Sequence, residues 1–154
     1  MAFSIREQLM TALVTALSAG GAGSPAGLTV HRERTRPIEN DSLPAIMVYA
    51  DDEVPKPLAG QTYKAPLTER QLSVGLECRA AGASGVPPDA ALDPILVWAA
   101  AAVRVDEQFG GLASGVEEGR TVWTSKEGTT PVAAAKWSIT IRYRTSRLDP
   151  TSKS

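Results

Sequence analysis

The chain has 154 residues, of which 43% are hydrophobic and 21% are charged, and its formal net charge is −1. This composition is typical of a folded protein with one interior, and the charge balance excludes a broad basic surface for nucleic acid. The single cysteine, Cys78, excludes an internal disulfide framework, and no apolar run is long enough to span a bilayer. We therefore expect a soluble protein made inside the cell, with one domain over residues 1–148 and a polar C-terminal tail over residues 149–154.

The first predicted helix covers residues 4–19. Ser4 and Glu7 have the spacing of a capping box, in which the hydroxyl accepts a backbone amide and the carboxylate reaches back. Met10 and Val14 lie off the main apolar stripe, either incidentally or because they face a neighbouring subunit. The main stripe consists of apolar residues that recur every four positions: Ile5, Leu9, Leu13 and Leu17. Two glycines follow at the position where the helix should end.

A first strand is expected over Leu28–Arg36, after a flexible connector rich in glycine and alanine. His31, the only histidine, lies there without evident partners for a metal site or a catalytic triad. Three arginines form a basic row: Arg32, Arg34 and Arg36. Two interpretations stay open, a solvated strand face with laterally packed stems or a contact to an acidic partner or DNA phosphate.

A second strand is predicted over Leu43–Tyr49, and the chain from Asp51 to Pro66 is predicted to be a long loop. This segment lacks periodicity and is rich in proline, and loops of this length are usually functional or disordered. It opens with the acids Asp51, Asp52 and Glu53, which suit either a solvated loop or a divalent cation.

The third strand and the second helix follow from periodicity. The strand Glu69–Arg79 places four residues inward: Leu72, Val74, Leu76 and Cys78. The helix should start between Asp89 and Asp93, because Asp93 and Pro94 suit the N-cap and first helical positions, and end at Gly110–Gly111. Its core stripe is Leu92, Ile95, Leu96, Ala99 and Val103, widened by Trp98, Ala102, Val105 and Phe109.

Two more strands complete the expected sheet. One is centred on Arg120–Ser125, with Val122 inward and Trp123 as a second inward candidate. The other, Lys136–Arg144, alternates without a break, with Trp137, Ile139, Ile141 and Tyr143 on one face. The order helix, three strands, helix, two strands predicts an α+β fold: an antiparallel-rich mixed sheet of four to five strands with two main helices packed on it.

The sequence offers no recognisable catalytic constellation. No cysteine and histidine cluster has zinc spacing, and Cys78 lies among core positions. The paired glycines follow helices, whereas a phosphate-binding loop precedes one. We therefore expect a protein that is not an enzyme and that uses no cofactor or metal.

Five segments carry a family resemblance. They are Ile5-Arg6-Glu7-Gln8-Leu9, Leu43-Pro44-Ala45-Ile46-Met47-Val48-Tyr49 with acids after it, Gln71-Leu72-Ser73-Val74-Gly75-Leu76-Glu77, Ala91-Leu92-Asp93, and Ala135-Lys136-Trp137-Ser138-Ile139-Thr140-Ile141-Arg142-Tyr143. In order and spacing, over nearly the whole chain, the sequence resembles the tail terminators of lambda-type long-tailed bacteriophages, the minor tail protein U family.

The resemblance implies an α+β protein that forms a hexameric ring at the head-proximal end of the virion tail, assembled in the host cytoplasm. Such a ring stops tube polymerisation once the tape measure protein sets the length, and it provides the head-joining surface. The implied partners are further copies of the chain, the tail tube protein, a head-completion or connector protein and the tape measure protein. DNA would pass through the ring without sequence-specific binding, and no membrane is involved.

Two alternatives stay open: another ring protein of the phage neck, such as a head-completion protein, or a small enzyme of unrecognised type. For a ring, we expect the loop Asp51–Pro66 to order at a subunit or tail-tube interface, with a solvated loop as the alternative. The candidate interface residues are Asp51, Asp52, Glu53, Val54, Lys56, Leu58, Tyr63, Met10 and Val14.

Overall fold

The structure is a computed structural model that describes residues 3–32, 43–57, 67–82, 85–126, 132–146 and 151. The helices are α1 (Ile5–Ser18) and α2 (Pro88–Val105), and the strands are β1 (Thr29–Arg32), β2 (Ala45–Pro57), β3 (Leu67–Ala81), β4 (Gly115–Lys126) and β5 (Val132–Ser146). This order of elements confirms the predicted α+β fold with a mixed, antiparallel-rich sheet.

The five strands form one sheet in the order β1-β2-β3-β5-β4. β1 runs parallel to β2, and the other neighbouring strands are antiparallel. β3 therefore lies at the centre, and β5 pairs with it along the full length of both strands, from Leu67 opposite Ser146 to Ala81 opposite Val132.

The interior lies between the helices and one side of the sheet, which we call the helix face. The predicted alternation of β5 is confirmed, because Trp137, Ile139, Ile141 and Tyr143 are all buried. The inward residues of β3 are also as predicted: Leu72, Val74, Leu76 and Cys78 are buried and lie opposite the β5 row. We call the other side of the sheet, which carries Lys136 and Ser138, the far face.

Helix α1 begins as predicted but buries more of its surface. The Ser4 hydroxyl accepts a hydrogen bond from the Glu7 amide at 3.2 Å, and Gly20 follows the helix with φ +69°. Met10 is only 1% exposed and Val14 is partly buried against the same core. The prediction that Met10 lies off the apolar stripe is wrong, because the sheet and α2 together cover a wider arc of the helix than four-residue spacing describes.

Helix α2 begins earlier and ends earlier than predicted. It starts at Pro88, where the missing N–H of proline is tolerated, and Pro94 lies inside it. It ends at Val105, which is 86% exposed and does not widen the core stripe as expected. Phe109 is buried as predicted, but it reaches the core from a turn beyond the helix.

That turn is organised by Asp106, the C-cap residue of α2. Its carboxylate accepts hydrogen bonds from the Gln108 amide at 3.1 Å and the Gly110 amide at 2.7 Å. Gly110 and Gly111 both have positive φ, so they serve this turn rather than the helix end for which they were predicted.

Strand β2 extends through a segment predicted to be a loop. Residues Asp52–Pro57 pair with β3, as far as Pro57 opposite Thr68. β1 pairs with β2 only from Ala45 to Val48, so Pro55 and Pro57 lie where β2 has a strand on one side among the described residues. A missing N–H is tolerated on such an edge, and this is why the prolines do not end the strand. The rest of the predicted loop, residues 58–66, lies outside the described residues.

Strand β4 lies at the sheet edge, and this changes the expected orientation of its apolar residues. Val122 is 45% exposed and Trp123 is 53% exposed, so the prediction that they face the core is wrong. Val122 pairs with Lys136 and therefore lies on the far face, which carries no helix among the described residues. Trp123 pairs with Ala135 on the helix face, but α2 packs over β3 and β5 and leaves this end of β4 uncovered.

The remaining predictions concern segments that are described in part. The first strand is described as Thr29–Arg32, and residues 33–42, including Arg34 and Arg36, lie outside the described residues. Of the predicted polar tail, only Thr151 is described.

Candidate interaction surfaces

An irregularity in β2 separates the three consecutive acids. Ala50 pairs with Val74 and Asp52 pairs with Ser73, so Asp51 is an extra residue in the strand. Such a bulge reverses which side of the sheet the following side chains face. Glu53 consequently lies opposite Leu72 on the helix face. The acids therefore do not form one acidic surface.

Glu53 is the centre of a polar network at one end of the helix face. Its Oε1 accepts a hydrogen bond from the Tyr143 hydroxyl, and its Oε2 contacts Arg6 Nη1 at 3.2 Å and Arg70 Nη1 at 3.4 Å. The Glu53 side chain is 14% exposed, and Arg70 Nε also donates to the buried Thr145 hydroxyl at 3.0 Å. One carboxylate thus links α1, β2, β3 and β5.

The network holds Tyr143 in its neutral form. Burial raises the pKa of the Tyr143 hydroxyl, and the hydrogen bond to Glu53 raises it further, because a phenolate next to a carboxylate is unfavourable. The half-buried Glu53 carboxylate has its hydrogen-bond partners within the fold, namely two arginines and a phenol. The arrangement joins elements of the fold, and Glu53 is not the solvated loop residue that the sequence indicated.

Asp51 takes part in a second cluster, on the far face. Its Oδ2 lies 2.9 Å from Lys136 Nζ, which also lies 5.1 Å from the centre of the Tyr49 ring. The Asp51 hydrogen bond is the main cause of a raised Lys136 pKa, and Tyr49 adds to it. The Tyr49 ring covers Gly75, where an added Cβ would lie 2.6 Å from the ring carbon Cζ.

The other predicted interface residues have mixed positions. Asp52, Val54 and Lys56 are exposed, with Val54 at 45%. Met10 is buried in the core, so its side chain is covered within the subunit. Leu58 and Tyr63 lie outside the described residues.

Arg32 is held by the first helix. Its guanidinium makes two hydrogen bonds to the Glu7 carboxylate, at 2.5 and 2.8 Å, and this contact is the main cause of a lowered Glu7 pKa. The Glu7 carboxylate thus binds Arg32, whereas the capping box predicted a reach back to Ser4. His31 Nε2 lies 3.1 Å from the Thr29 hydroxyl.

The described residues contain no group of three or more His, Cys, Asp or Glu side chains that could hold a metal ion. Cys78 is fully buried, and burial raises the pKa of its thiol to about 12, with a smaller contribution from Glu77. The thiol is therefore protonated at neutral pH and shielded from reagents.

Shallow grooves lie on the helix side of the molecule. Two are separate hollows that share Ala12: Val105 and Ala102 line one of them, and Phe3 and Leu112 line the other. A third lies between α2 and β4 and is lined by apolar groups and by one ion pair: Leu96, Val97, Ala100, Trp137, and the pair Arg104 and Glu118.

The Glu53 network was not predicted from the sequence. A signal was present, because Tyr143 is the one residue with an aromatic hydroxyl on the inward side of β5, and a buried hydroxyl needs a partner. The partner was not recognisable, because strict alternation of β2 would have placed Glu53 on the far face.

No protein-family model matches the chain, and no curated protein matches it. Among the helices that the structure describes, none is both long enough and apolar enough to cross a membrane.

Proposed function

We propose that the chain is a tail terminator of a long-tailed bacteriophage, which forms a hexameric ring on the head-proximal end of the tail tube. The support is the resemblance of short segments along nearly the whole sequence, together with the α+β fold that this resemblance implies. The ring stops addition of tube protein and offers its other side to the head connector.

The structural observation that supports assembly into a ring is that exposed apolar side chains lie on opposite sides of the subunit. Phe3, 66% exposed, and Val105, 86% exposed, lie in the helix layer. Val54, 45% exposed, follows Glu53 in β2 and so faces the other side of the sheet. A ring closed by rotation needs such a pair of different surfaces, because each subunit uses one surface on each neighbour.

The small net charge of the chain is also compatible with assembly of several copies into a ring. The net charge of −1 creates little repulsion between copies, and a ring through which DNA passes is not expected to hold it by phosphate contacts. We expect the wall of the opening to be neutral or acidic.

The test combines the purified protein with tail tubes that lack a terminator. Electron microscopy should show a six-subunit ring on one end of each tube, and native mass spectrometry should detect a hexamer as concentration rises. Val54→Lys and Val105→Lys should reduce ring formation without lowering the melting temperature. Val86→Lys, at a valine 43% exposed in the connector before α2, is the matched control.

Binding to heads without any affinity for tubes would favour a head-completion protein. A dimer that persists on the tubes would exclude the ring. Copurification of a tightly bound cofactor, with no binding to tubes or heads, would favour an enzyme.

A further inference from the structure

One contact joins the first turn of α1 to the last part of β2, residues 52–57, which we call the β2 end. Arg6 Nη1 lies 3.2 Å from Glu53 Oε2, with the arginine side chain 52% exposed and the glutamate side chain 14% exposed. The two residues are 47 positions apart in sequence, one in the helix layer and one in the sheet. The contact is therefore a direct physical link between two segments that could otherwise open independently.

On the sheet side, the carboxylate is held by two neighbouring strands. The Tyr143 hydroxyl of β5 donates to Glu53 Oε1, and Arg70 Nη1 of β3 lies 3.4 Å from Oε2. Arg70 is itself fixed, because its Nε donates to the buried Thr145 hydroxyl at 3.0 Å. Groups in such a network orient one another. The Glu53 carboxylate is thus in position for Arg6 when the β2 end is paired with β3.

On the helix side, Arg6 is in a position where a cation needs a nearby anion. It is the second residue of α1, after the N-cap Ser4 and Ile5. The amide groups of the first turn give this end of a helix a partial positive charge, which disfavours a cation and favours an anion. Glu53 brings a carboxylate from the sheet to this position. Formation of the first turn is therefore favoured by a charge that β2 carries.

Each of the two linked segments carries an exposed apolar side chain. Phe3, 66% exposed, precedes the N-cap of α1, and its carbonyl accepts a hydrogen bond from Gln8 Nε2 at 3.0 Å, so its position follows the first turn. Val54, 45% exposed, follows Glu53 and lies opposite Gln71 on the far face. The contact thus connects segments that present apolar groups on opposite sides of the subunit.

We propose that the contact between Arg6 and Glu53 is a conformational coupling, which makes order in the first turn of α1 and order in the β2 end depend on each other. A partly exposed ion pair of this kind changes a local equilibrium by about two- to fivefold. The coupling is reciprocal, so each segment affects the other by the same factor, and a partner that orders one segment also orders the other. The coupling is a property of one subunit, and only its consequence for assembly rests on the proposed function.

Amide hydrogen exchange of the full chain at low protein concentration tests the coupling in the isolated subunit. Arg6→Ala, although it lies in α1, should speed exchange of the amides in the β2 end that bond to β3 by about two- to fivefold. The change is measured relative to the Val74 amide at the centre of the sheet, which reports overall stability. Arg104→Ala is the matched control, because it removes an ion pair with an arginine of similar exposure, 62%, and should leave the β2 end unchanged.

The reciprocal measurement uses Glu53→Gln and the Gln8 amide, which donates to the Ser4 carbonyl at 3.1 Å in the first turn of α1. Exchange at Gln8 should rise by the same factor, and this rise should vanish in the Arg6→Ala background. Likewise, Arg6→Ala should no longer affect the β2 end in the Glu53→Gln background. Asp52→Asn controls for the loss of a carboxylate from the same strand, since Asp52 is exposed, and it should leave Gln8 unchanged.

In the proposed ring, the same coupling makes closure more cooperative, because a neighbour bound at Phe3 or Val54 orders the segment that meets the other neighbour. Arg6→Ala leaves both apolar residues in place. Native mass spectrometry should therefore show more open assemblies, smaller than the ring, at concentrations at which the original chain forms closed rings.

Two outcomes in the isolated subunit would overturn the coupling. One is unchanged exchange in the β2 end of Arg6→Ala relative to Val74. The other is an equal effect of Arg6→Ala with and without Glu53→Gln, because the effect would then arise in α1 and not from the contact. Failure of the proposed function has a different signature: the exchange coupling is present, but no ring forms on tail tubes. Rings that close equally well in Arg6→Ala would contradict the consequence for assembly.

Discussion

The Tyr143 hydroxyl donates a hydrogen bond to Glu53 Oε1, joining β5 to β2 across the intervening strand β3. The second oxygen of the same carboxylate is shared by Arg70 of β3 and Arg6 of α1. The network therefore fastens the end of β2, the strand segment that would otherwise be held by β3 alone among the described residues.

We expect Glu53→Gln to lower the free energy of unfolding by about 2 kcal/mol, because it leaves two arginines beside a neutral amide. Asp52→Asn is the matched control, since Asp52 is exposed next to it in sequence, and should change stability by less than about 0.5 kcal/mol. Urea denaturation measures both. In a double-mutant cycle with Tyr143→Phe the two losses should not add, and simple additivity would show that the contact is not energetically coupled.

Gly75 and Tyr49 give a second prediction, from close packing. Gly75→Ala places a methyl group where the Tyr49 ring lies, so the ring must shift and lose its place beneath Lys136. We expect a loss of about 1–3 kcal/mol, as for other overpacked sites. In the Tyr49→Ala background the same substitution should be nearly neutral. A full loss in that background would mean that the backbone of β3, not the ring, resists the methyl group.

Met10 separates a core role from an interface role. At 1% exposure, Met10→Ala should lower the stability of the isolated subunit by about 2–4 kcal/mol through the cavity it leaves. Val105→Ala, at an 86% exposed position, should leave the subunit within about 0.5 kcal/mol of its original stability. Thermal unfolding at low protein concentration measures both. If Met10→Ala lowers stability only at high protein concentration, Met10 contributes to a subunit interface and not to the core of the subunit.

Cys78 provides a prediction for pH. Its pKa is raised to about 12 in the fold, whereas an unfolded thiol ionises near about 8.5. A raised pKa contributes stability that is present below the unfolded value and lost as pH rises, so stability should fall between about pH 8.5 and 12. Cys78→Ala should reduce this slope in urea titrations at several pH values. A maleimide should label Cys78 only after unfolding, and rapid labelling of the native protein would contradict its burial.

The elements that were predicted correctly share one property: in each, the apolar residues recur with one constant spacing along the sequence, and this spacing identifies the buried side. The inward row of β5 and that of β3 follow from simple alternation, and Leu9, Leu13 and Leu17 follow from four-residue spacing. Each of these segments is regular and packed against the interior, so the local pattern and the tertiary environment agree.

The errors occur where topology overrides the local pattern. Pro55 and Pro57 led to the prediction of a loop, yet both lie in an edge segment of β2, where the missing N–H is tolerated. Trp123 reads as interior because it is aromatic in a strand, but edge position and the placement of α2 decide its exposure. The Glu53 network depends on one extra residue in β2, and a bulge changes the period without an obvious mark in the sequence.

The pairing of β3 with β5 also bears on how the chain acquires its fold. Leu72 and Ile141 face each other although 141 − 72 = 69 residues separate them, and α2 and β4 lie between them in the sequence. Contacts between residues so far apart in sequence slow folding. The chain must lose the entropy of closing a long loop before the strand pairing contributes any stabilising energy. During synthesis, four strands and both helices precede β5, and until β5 emerges the inward side of β3 lacks its principal neighbour. Exposed apolar strands of this kind are prone to aggregate, so the nascent chain should depend on chaperones until β5 is in place.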